Sequence, residues 1–143
     1  MQIQPMSAHF RVPEYSTPGA AALDIFMPQA GRCDSQRATK VALGFSAAVP
    51  PGHVALLLPR SGVGFKHGLE VNNTCGVIDE DYRGEWFASL RLKSTANNAP
   101  LQWEAGDRLL QVLIVPVLRV IPQVVTELDT TDRGLAGLGS TGR

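Results

Sequence analysis

Short apolar runs separated by turn residues limit the folds open to this chain more than any other feature of its sequence. The runs are rich in Val, Leu, Ile and Phe, and they begin at Val41, His53, Trp86 and Gln111. Turn sequences such as Pro50-Pro51-Gly52 separate them, and the chain contains 14 Gly and 10 Pro. Strands at this spacing are typical of an all-β sandwich or barrel. We therefore predict an all-β fold in which one short helix follows Ser61.

The length and the charge of the chain restrict its class. With 143 residues, it suits a single domain over residues 1–143. Its 13 basic residues balance its 13 acidic ones, whereas a general binder of nucleic acid or of membrane surfaces carries a basic excess. The N-terminus lacks a secretory pattern, and the two cysteines lack the spacing of metal ligands. We expect a cytoplasmic protein with no nucleic-acid partner and no membrane partner.

Short blocks of glycine and charged residues lie between the apolar runs. They are Ala22-Leu23-Asp24, Pro59-Arg60-Ser61-Gly62, and residues 76–85, 106–111 and 133–142. In the third block, Asp79 has the chemistry to orient a water and accept its proton, although an aspartate there also suits a turn that caps its own backbone. In the second block, the start of a helix after an arginine suits an anion or a plain turn. Each block alone is a weak signal.

Taken in order, the five blocks resemble the five motifs of the homotrimeric dUTPase family over nearly the whole chain. The resemblance implies a jelly-roll-like barrel or sandwich, a homotrimer, and a flexible C-terminal tail over about residues 132–143 that acts as a lid. It also implies hydrolysis of dUTP to dUMP and pyrophosphate, by attack of a water on the α-phosphate. Such an enzyme keeps uracil out of DNA and supplies dUMP.

The resemblance assigns roles to individual residues. It gives Asp79 the catalytic water, with Gln111 near the α-phosphate, and it gives Tyr82 the deoxyribose, where the ring leaves no room for a 2′-hydroxyl. The uracil edge would be read by Asn73, Gly76, Val77 and Ile78. The phosphate chain would contact Arg60, Ser61 and Gly62.

A divalent cation is expected because a triphosphate carries several negative charges that must be neutralised during the reaction. The sequence offers no cluster of His, Cys and Asp that would form a protein cage. We therefore expect Mg²⁺ held mainly by phosphate oxygens and waters, and the resemblance links Asp24 to it through water rather than directly.

The C-terminal block would close over the substrate. The resemblance assigns substrate contacts in this block to Arg133, Leu138, Gly139, Ser140 and Thr141. Leu138 stands where the family usually has a Phe that stacks on uracil, and such stacking contributes roughly 1–3 kcal/mol. We expect slower or looser closure of the tail rather than loss of the chemistry.

Two other functions fit parts of the sequence. A dCTP deaminase resembles dUTPase in several motifs, but it carries a Glu about where Ser89 lies and usually a second Ser where Gly62 lies. A dUTP-sensing regulatory protein on the same scaffold would use an ordering tail to engage a partner of unknown identity.

Overall fold

The structure is a computed structural model that describes residues 1–94 and 99–137. Short strands and one helix follow one another along this part of the chain. They are β1 (Gln2–Pro5), β2 (Glu14–Tyr15), β3 (Leu23–Phe26), β4 (Gly31–Cys33), β5 (Thr39–Ala48), β6 (His53–Pro59), α1 (Ser61–His67), β7 (Leu69–Val71), β8 (Gly76–Ile78), β9 (Glu85–Leu92), β10 (Leu101–Trp103) and β11 (Arg108–Pro116). The all-β prediction is confirmed, and so is the short helix that begins at Ser61.

Two larger antiparallel sheets and one strand pair make up the fold. One sheet has the order β1-β5-β9-β7, the other has the order β2-β3-β11-β6-β8, and β10 pairs with β4. The apolar run from Gln111 forms most of β11, which lies between β3 and β6. The run from His53 forms β6, which in turn separates β11 from β8. The second sheet therefore contains residues from four of the five blocks that carry the resemblance.

Alternation along β9 shows how the sequence directs one face of a strand to the core. Trp86 and Leu90 are buried, whereas Phe87 and Arg91 on the opposite face are exposed. This is the two-residue period expected of a strand with one buried face. Trp86 packs against Phe45, with ring centroids 5.2 Å apart. Such inward side chains form one hydrophobic cluster that both larger sheets supply.

After β11 the chain leaves the sheets. Residues 117–137 contain no helix or strand, and their apolar side chains are largely exposed, as at Ile121 and Val124. A backbone hydrogen bond of 2.9 Å from Val117 N–H to the Gly52 carbonyl holds the start of this segment. The part of the predicted tail that the structure describes, residues 132–137, also lacks regular structure. Among the described residues, no helix is long and apolar enough to cross a membrane.

Candidate functional site

One face of the second sheet carries polar residues from three strands. Gln111 on β11 lies opposite Asp24 on β3 and opposite Leu58 on β6. Residues paired across antiparallel strands point to the same face of a sheet, so these three side chains share a face. They open into a cleft of about 720 Å³ that also takes residues from the chain before β3 and from α1. Its lining residues are Ser16, Ala20, Ala21, Ala22, Asp24, Leu58, Arg60, Ser61, Gly62, Val63, Lys66, His67, Gln111 and Leu113.

This cleft is here called the phosphate cleft, after the role predicted for it. Asp24 in its wall forms ion pairs with two arginines. Residue Asp24 is 4% exposed, and each of its carboxylate oxygens lies close to a guanidinium group. The Nε of Arg60 lies 2.8 Å from Oδ1, and the Nη1 of Arg108 lies 3.1 Å from Oδ2. A buried carboxylate needs such partners, because an unpaired buried charge is strongly destabilising. The pairing also fixes the direction of the Arg60 side chain along the cleft.

The charges that line the phosphate cleft favour an anion. Arg60 and Lys66 supply two cations against the single carboxylate of Asp24. Arg60 is the N-cap of α1, with extended backbone at φ −70° and ψ 140°, so Ser61 and Gly62 form the first turn. Backbone N–H groups in a first turn lack intrahelical acceptors. The positive charge of Arg60 and the free backbone N–H groups of the first turn thus lie at the same end of the cleft.

Gln111 is held in place on the same face. Its Nε2 donates a hydrogen bond of 3.1 Å to the Pro59 carbonyl. An amide nitrogen carries two N–H donors and the amide oxygen accepts, so this contact orients the side chain and uses one of its donors. The three predicted phosphate-contacting residues and Gln111 are therefore brought together with Asp24.

A second cavity, of about 240 Å³, lies beside β8 and is here called the base pocket. It is lined by Leu57, Asn73, Gly76, Val77, Ile78, Asp79, Tyr82, Glu85, Trp86 and Phe87. The residues predicted to read uracil, to hold the water and to contact the sugar thus meet in one place. The motif pattern did not point to Trp86 or Phe87 as pocket walls, because both belong to the alternating pattern of β9.

The hairpin that leads into β8 is fixed by contacts of its own. The Nδ2 of Asn73 donates to the Cys75 carbonyl at 3.0 Å. A Cβ at Gly76 would lie 2.9 Å from the Cβ of Leu57, so only glycine allows β8 to approach β6 this closely. Because β8 is the last strand of its sheet, alternate backbone groups on its outer edge are not used by a neighbouring strand. That edge can pair with a planar ligand as it would with another strand.

Asp79 and Tyr82 flank a tight turn after β8. The Tyr82 N–H donates to the Asp79 carbonyl at 3.2 Å, and the Tyr82 hydroxyl donates to the Glu85 carbonyl at 3.1 Å. The Asp79 side chain is exposed, and within residues 1–94 and 99–137 nothing forms a hydrogen bond or ion pair with its carboxylate. An exposed carboxylate at the rim of a pocket suits a group that must hold a water.

Glu80 ties this turn to two distant parts of the chain. One of its carboxylate oxygens accepts the Gly52 N–H at 2.5 Å, and the other lies 2.7 Å from the Nη2 of Arg119. The sequence pattern gave no signal for this role, because the partners lie 28 and 39 residues away. The contacts of Glu80 thus hold the segment that carries Asp79 against the β5–β6 turn.

The base pocket and the phosphate cleft do not meet within one chain. They share no lining residue. Leu57 lines the base pocket and its neighbour Leu58 lines the phosphate cleft. Successive side chains of a strand point to opposite faces of the sheet. The sheet itself therefore lies between the two cavities.

The predicted tail contacts stand apart from both cavities. Within the described part of the tail, the Nε of Arg133 donates to the Ala136 carbonyl at 3.1 Å and its Nη2 to the Gly137 carbonyl at 3.5 Å. Arg133 lines neither cavity. Leu138, Gly139, Ser140 and Thr141, which the motif pattern assigned to the substrate, lie outside the described residues.

The described residues contain no group of three or more His, Cys, Asp or Glu side chains that could form a metal cage. Among the described residues, Asp24 is the one carboxylate in the wall of the phosphate cleft. Both of its oxygens already accept from guanidinium groups, but a carboxylate has about four lone-pair sites. The cleft therefore fits a cation that a polyphosphate brings with it better than one bound directly by the protein.

Comparison with known proteins gives consistent matches. A family model described as dUTPase matches residues 8–142. The deoxyuridine 5'-triphosphate nucleotidohydrolase of Dictyoglomus turgidum is 39% identical over 137 residues, which cover 92% of this chain and 90% of the relative. The protein of the same name from Shewanella oneidensis is 36% identical over 146 residues, which cover 96% of this chain and 90% of the relative.

Solved structures share the architecture. A mutant dUTPase of Staphylococcus bacteriophage 80alpha with dUpNHpp superposes with a TM-score of 0.86 at 24% identity, covering 99% of this chain and 98% of that one. A mutant dUTPase from phage phi11 of S. aureus, described for the coordination of a structural Mg(II) ion, has a TM-score of 0.77 at 24% identity, covering 88% of this chain and 96% of that one. The likeness confirms the predicted jelly-roll fold.

Proposed function

Because this chain belongs to the dUTPase family, we propose that it hydrolyses dUTP to dUMP and pyrophosphate at a site that two chains build together. The enzyme is a dUTP diphosphatase. The observation that carries the mechanism is Asp79, whose exposed carboxylate lies at the rim of the base pocket with its oxygens available to a water.

Uracil binds along the outer edge of β8. Its edge presents two carbonyl acceptors and one N–H donor, which the backbone of Gly76, Val77 and Ile78 matches as a paired strand would. Asn73 adds amide donors and an acceptor beside them. Cytosine presents a different order of donors and acceptors, so it leaves buried polar groups unpaired, and such mismatches discriminate strongly. Tyr82 lies under the deoxyribose and excludes a 2′-hydroxyl.

Asp79 acts as the general base. It accepts a proton from the bound water as the water oxygen attacks the α-phosphorus. The bond between that phosphorus and the oxygen that bridges to the β-phosphate breaks, and the electron pair leaves with pyrophosphate. Gln111 contacts the α-phosphate and the water from the phosphate cleft. The contact with Pro59 supports this role because it holds the amide in one orientation.

The phosphate chain lies in the phosphate cleft against Arg60, Ser61 and Gly62. Arg60 is preorganised by its ion pair with Asp24, so little side-chain entropy is lost when it meets a phosphate. Mg²⁺ would neutralise the charge of the phosphates. We propose that phosphate oxygens and waters hold it, with Asp24 contacting one of those waters. The phi11 phage protein is described for the coordination of a structural Mg(II) ion, which is consistent with Mg²⁺ binding in this family.

We propose a homotrimer because the two cavities of one chain lie on opposite faces of its sheet. The base pocket of one chain and the phosphate cleft of another have to face each other across an interface. A closed ring of chains satisfies every half-site in this way. The family resemblance sets the number at three.

The tail completes the site as a lid. Arg133, Leu138, Gly139, Ser140 and Thr141 would close over the phosphates and the base, which excludes water other than the reacting one. The exposed apolar side chains of residues 117–137 support docking of this segment on another chain. A cytoplasmic location stays a prediction.

Release of pyrophosphate tests the proposal directly. With Mg²⁺, release from dUTP should far exceed release from dCTP, dTTP and UTP. Asp79→Asn should nearly abolish turnover and keep nucleotide binding, because an amide cannot accept the proton. If this variant turned over at the parental rate, Asp79 would not be the base. Tight binding of dUTP without any release in the parent would favour a dUTP sensor instead.

The family match and the shared name of the relatives do not favour the alternative functions. The position where a deaminase would carry its Glu holds Ser89, a β9 residue that does not line the base pocket. Ser89 lacks the carboxyl group that would act as general acid and base in the deamination of cytosine at this position.

A further inference from the structure

The backbone φ angle at Gly84 does not by itself require a glycine. Its φ lies outside the left-handed range that side chains avoid, unlike those of Gly44, Gly52, Gly68 and Gly106. The constraint comes from the Tyr82 ring. A Cβ built on Gly84 would lie 2.7 Å from Cζ and 3.1 Å from Cε2 of that ring, and closer still to the hydroxyl oxygen. The ring rests directly on the backbone of residue 84.

Three hydrogen bonds support this position of Tyr82. Its hydroxyl donates to the Glu85 carbonyl at 3.1 Å, so the end of the ring is tethered next to Gly84. The Nη1 of Arg83 donates to the carbonyls of Glu80, at 2.6 Å, and of Tyr82, at 2.9 Å. These bonds stiffen the turn from which the ring projects. We call the Gly84 backbone and the Glu85 carbonyl the tyrosine seat.

The Gly84 part of the seat backs the Tyr82 ring without lining the base pocket. Tyr82 and Glu85 line that pocket, whereas Gly84 does not, and residue Tyr82 is 41% exposed. The depth of the pocket at this wall is therefore set by how closely the ring can approach the main chain behind it. Ordinary carbon contacts begin near 3.4 Å, so a methyl group at position 84 would displace Cζ by about 0.7 Å or more.

We propose that Gly84 is a specificity-determining positioning residue, which fixes the Tyr82 ring at the depth that admits a 2′-deoxyribose and rejects a ribose. This inference rests on the proposed role of Tyr82 as the sugar filter. A steric filter works only if its wall cannot move, because a ring that rotates aside makes room for a hydroxyl. Gly84 supplies the close backing and Glu85 supplies the tether.

The test compares kcat/KM for dUTP with kcat/KM for UTP. Gly84→Ala leaves the backbone conformation allowed, but it forces the ring off the seat and breaks the tether to Glu85. We expect the dUTP/UTP ratio to fall about tenfold or more, since displacement of a positioning group by about 1 Å costs up to about a hundredfold. The matched control is Gly19→Ala, because a Cβ at Gly19 has no atom within 4 Å and the ratio should stay at the parental value.

A double-mutant cycle separates this inference from the proposed function. Tyr82→Ala should lower the ratio, and adding Gly84→Ala to it should change nothing further, because the ring is already gone. If Tyr82→Ala leaves the ratio unchanged, the sugar-filter role fails, and the seat fails with it. If Tyr82→Ala lowers the ratio but Gly84→Ala leaves it the same or raises it, the inference about Gly84 alone is overturned.

Fluorine NMR follows the ring without any substrate. The chain contains two tyrosines, so 3-fluorotyrosine labelling gives two resonances, and Tyr15→Phe assigns them. In Gly84→Ala the Tyr82 resonance should shift while the Tyr15 resonance stays in place. An unmoved Tyr82 resonance would show that the ring keeps its position, which overturns the proposal.

A second variant keeps the proposal testable if Gly84→Ala does not fold. Tyr82→Phe retains the glycine and removes only the hydroxyl that bonds to Glu85. We expect a smaller fall in the dUTP/UTP ratio, about threefold to tenfold, which corresponds to the loss of one hydrogen bond. If Tyr82→Phe kept the parental dUTP/UTP ratio, the hydrogen bond to Glu85 would not position the ring, and the proposed seat would be wrong.

Discussion

Mixing two inactive variants should restore activity, if the base pocket of one chain works with the phosphate cleft of another. Asp79→Asn removes the base from the base pocket and leaves the phosphate cleft intact. Arg60→Gln removes a phosphate contact and leaves the base pocket intact. The second substitution is chosen because Asp24 keeps Arg108, 3.1 Å away, as its remaining partner, so the cleft should retain its fold.

The size of the recovery follows from the geometry. After random exchange of equal amounts, a site is intact only if its base pocket comes from an Arg60→Gln chain and its cleft from an Asp79→Asn chain. Each choice has even odds, so about a quarter of the sites in a closed ring should be intact. The mixture should therefore reach about 25% of parental kcat, with the parental KM for dUTP, although neither variant alone turns over appreciably.

The assay is pyrophosphate release after mild denaturation and joint refolding of the two variants. Native mass spectrometry of tagged and untagged chains establishes that the chains have exchanged, and each variant refolded alone provides the baseline. Activity at the sum of the two baselines, in a sample with proven exchange, would mean that each site lies within one chain. The two cavities of one chain would then act on the same substrate, and the proposal of a site shared between chains would be wrong.

Other substitutions test single contacts. Asp24→Asn removes the charge that pairs with two guanidinium groups, so we expect a loss of about 3 kcal/mol in the free energy of unfolding and a higher KM for dUTP, measured by denaturant titration and steady-state kinetics. Leu90→Ala deletes a side chain that is 0% exposed and should cost about 2–5 kcal/mol, with parental kcat at 25 °C. Burial, followed by Asp34, raises the pKa of the Cys33 thiol to about 11, so a thiol reagent at pH 8 should modify the half-buried Cys75 and spare Cys33 until the protein unfolds. The raised pKa means that the folded state favours the neutral thiol of Cys33. The stabilisation that this thiol contributes to the free energy of unfolding should therefore be lost as pH rises from about 9 to about 11. Leu138→Phe should tighten binding of a substrate analogue several-fold if stacking on the base is what the leucine lacks; equal affinity in a calorimetric titration would contradict that explanation.

Local features of this fold could be predicted from the sequence because they depend on neighbouring residues. The alternation along β9 and the short helix after Ser61 follow from side-chain period and from glycine content. Candidate site residues could be proposed because the motifs are short and contiguous. Asp79 and Tyr82 are three positions apart, and the turn between them brings both to the base pocket.

Contacts between distant segments could not be predicted in this way. Asp24 and Arg108 are 84 positions apart, and only the pairing of β3 with β11 brings them together. The positioning role proposed for Gly84 could not be predicted from the sequence either, because a glycine two residues after a tyrosine indicates only a turn. Only the position of the Tyr82 ring shows that the glycine makes room for a side chain.

The arrangement of the two cavities follows from strand register, which no motif records. Leu57 lies opposite Gly76 on β8, and Leu58 lies opposite Gln111 on β11. A shift of one residue in the register of β6 would exchange the faces of Leu57 and Leu58, so that Leu58 would turn away from the phosphate cleft. In the proposed assembly, the two cavities that this register places on opposite sides of one sheet would be half-sites of different active sites. A head-to-tail contact between chains joins unlike half-sites, and repeating it around a ring leaves none unpaired.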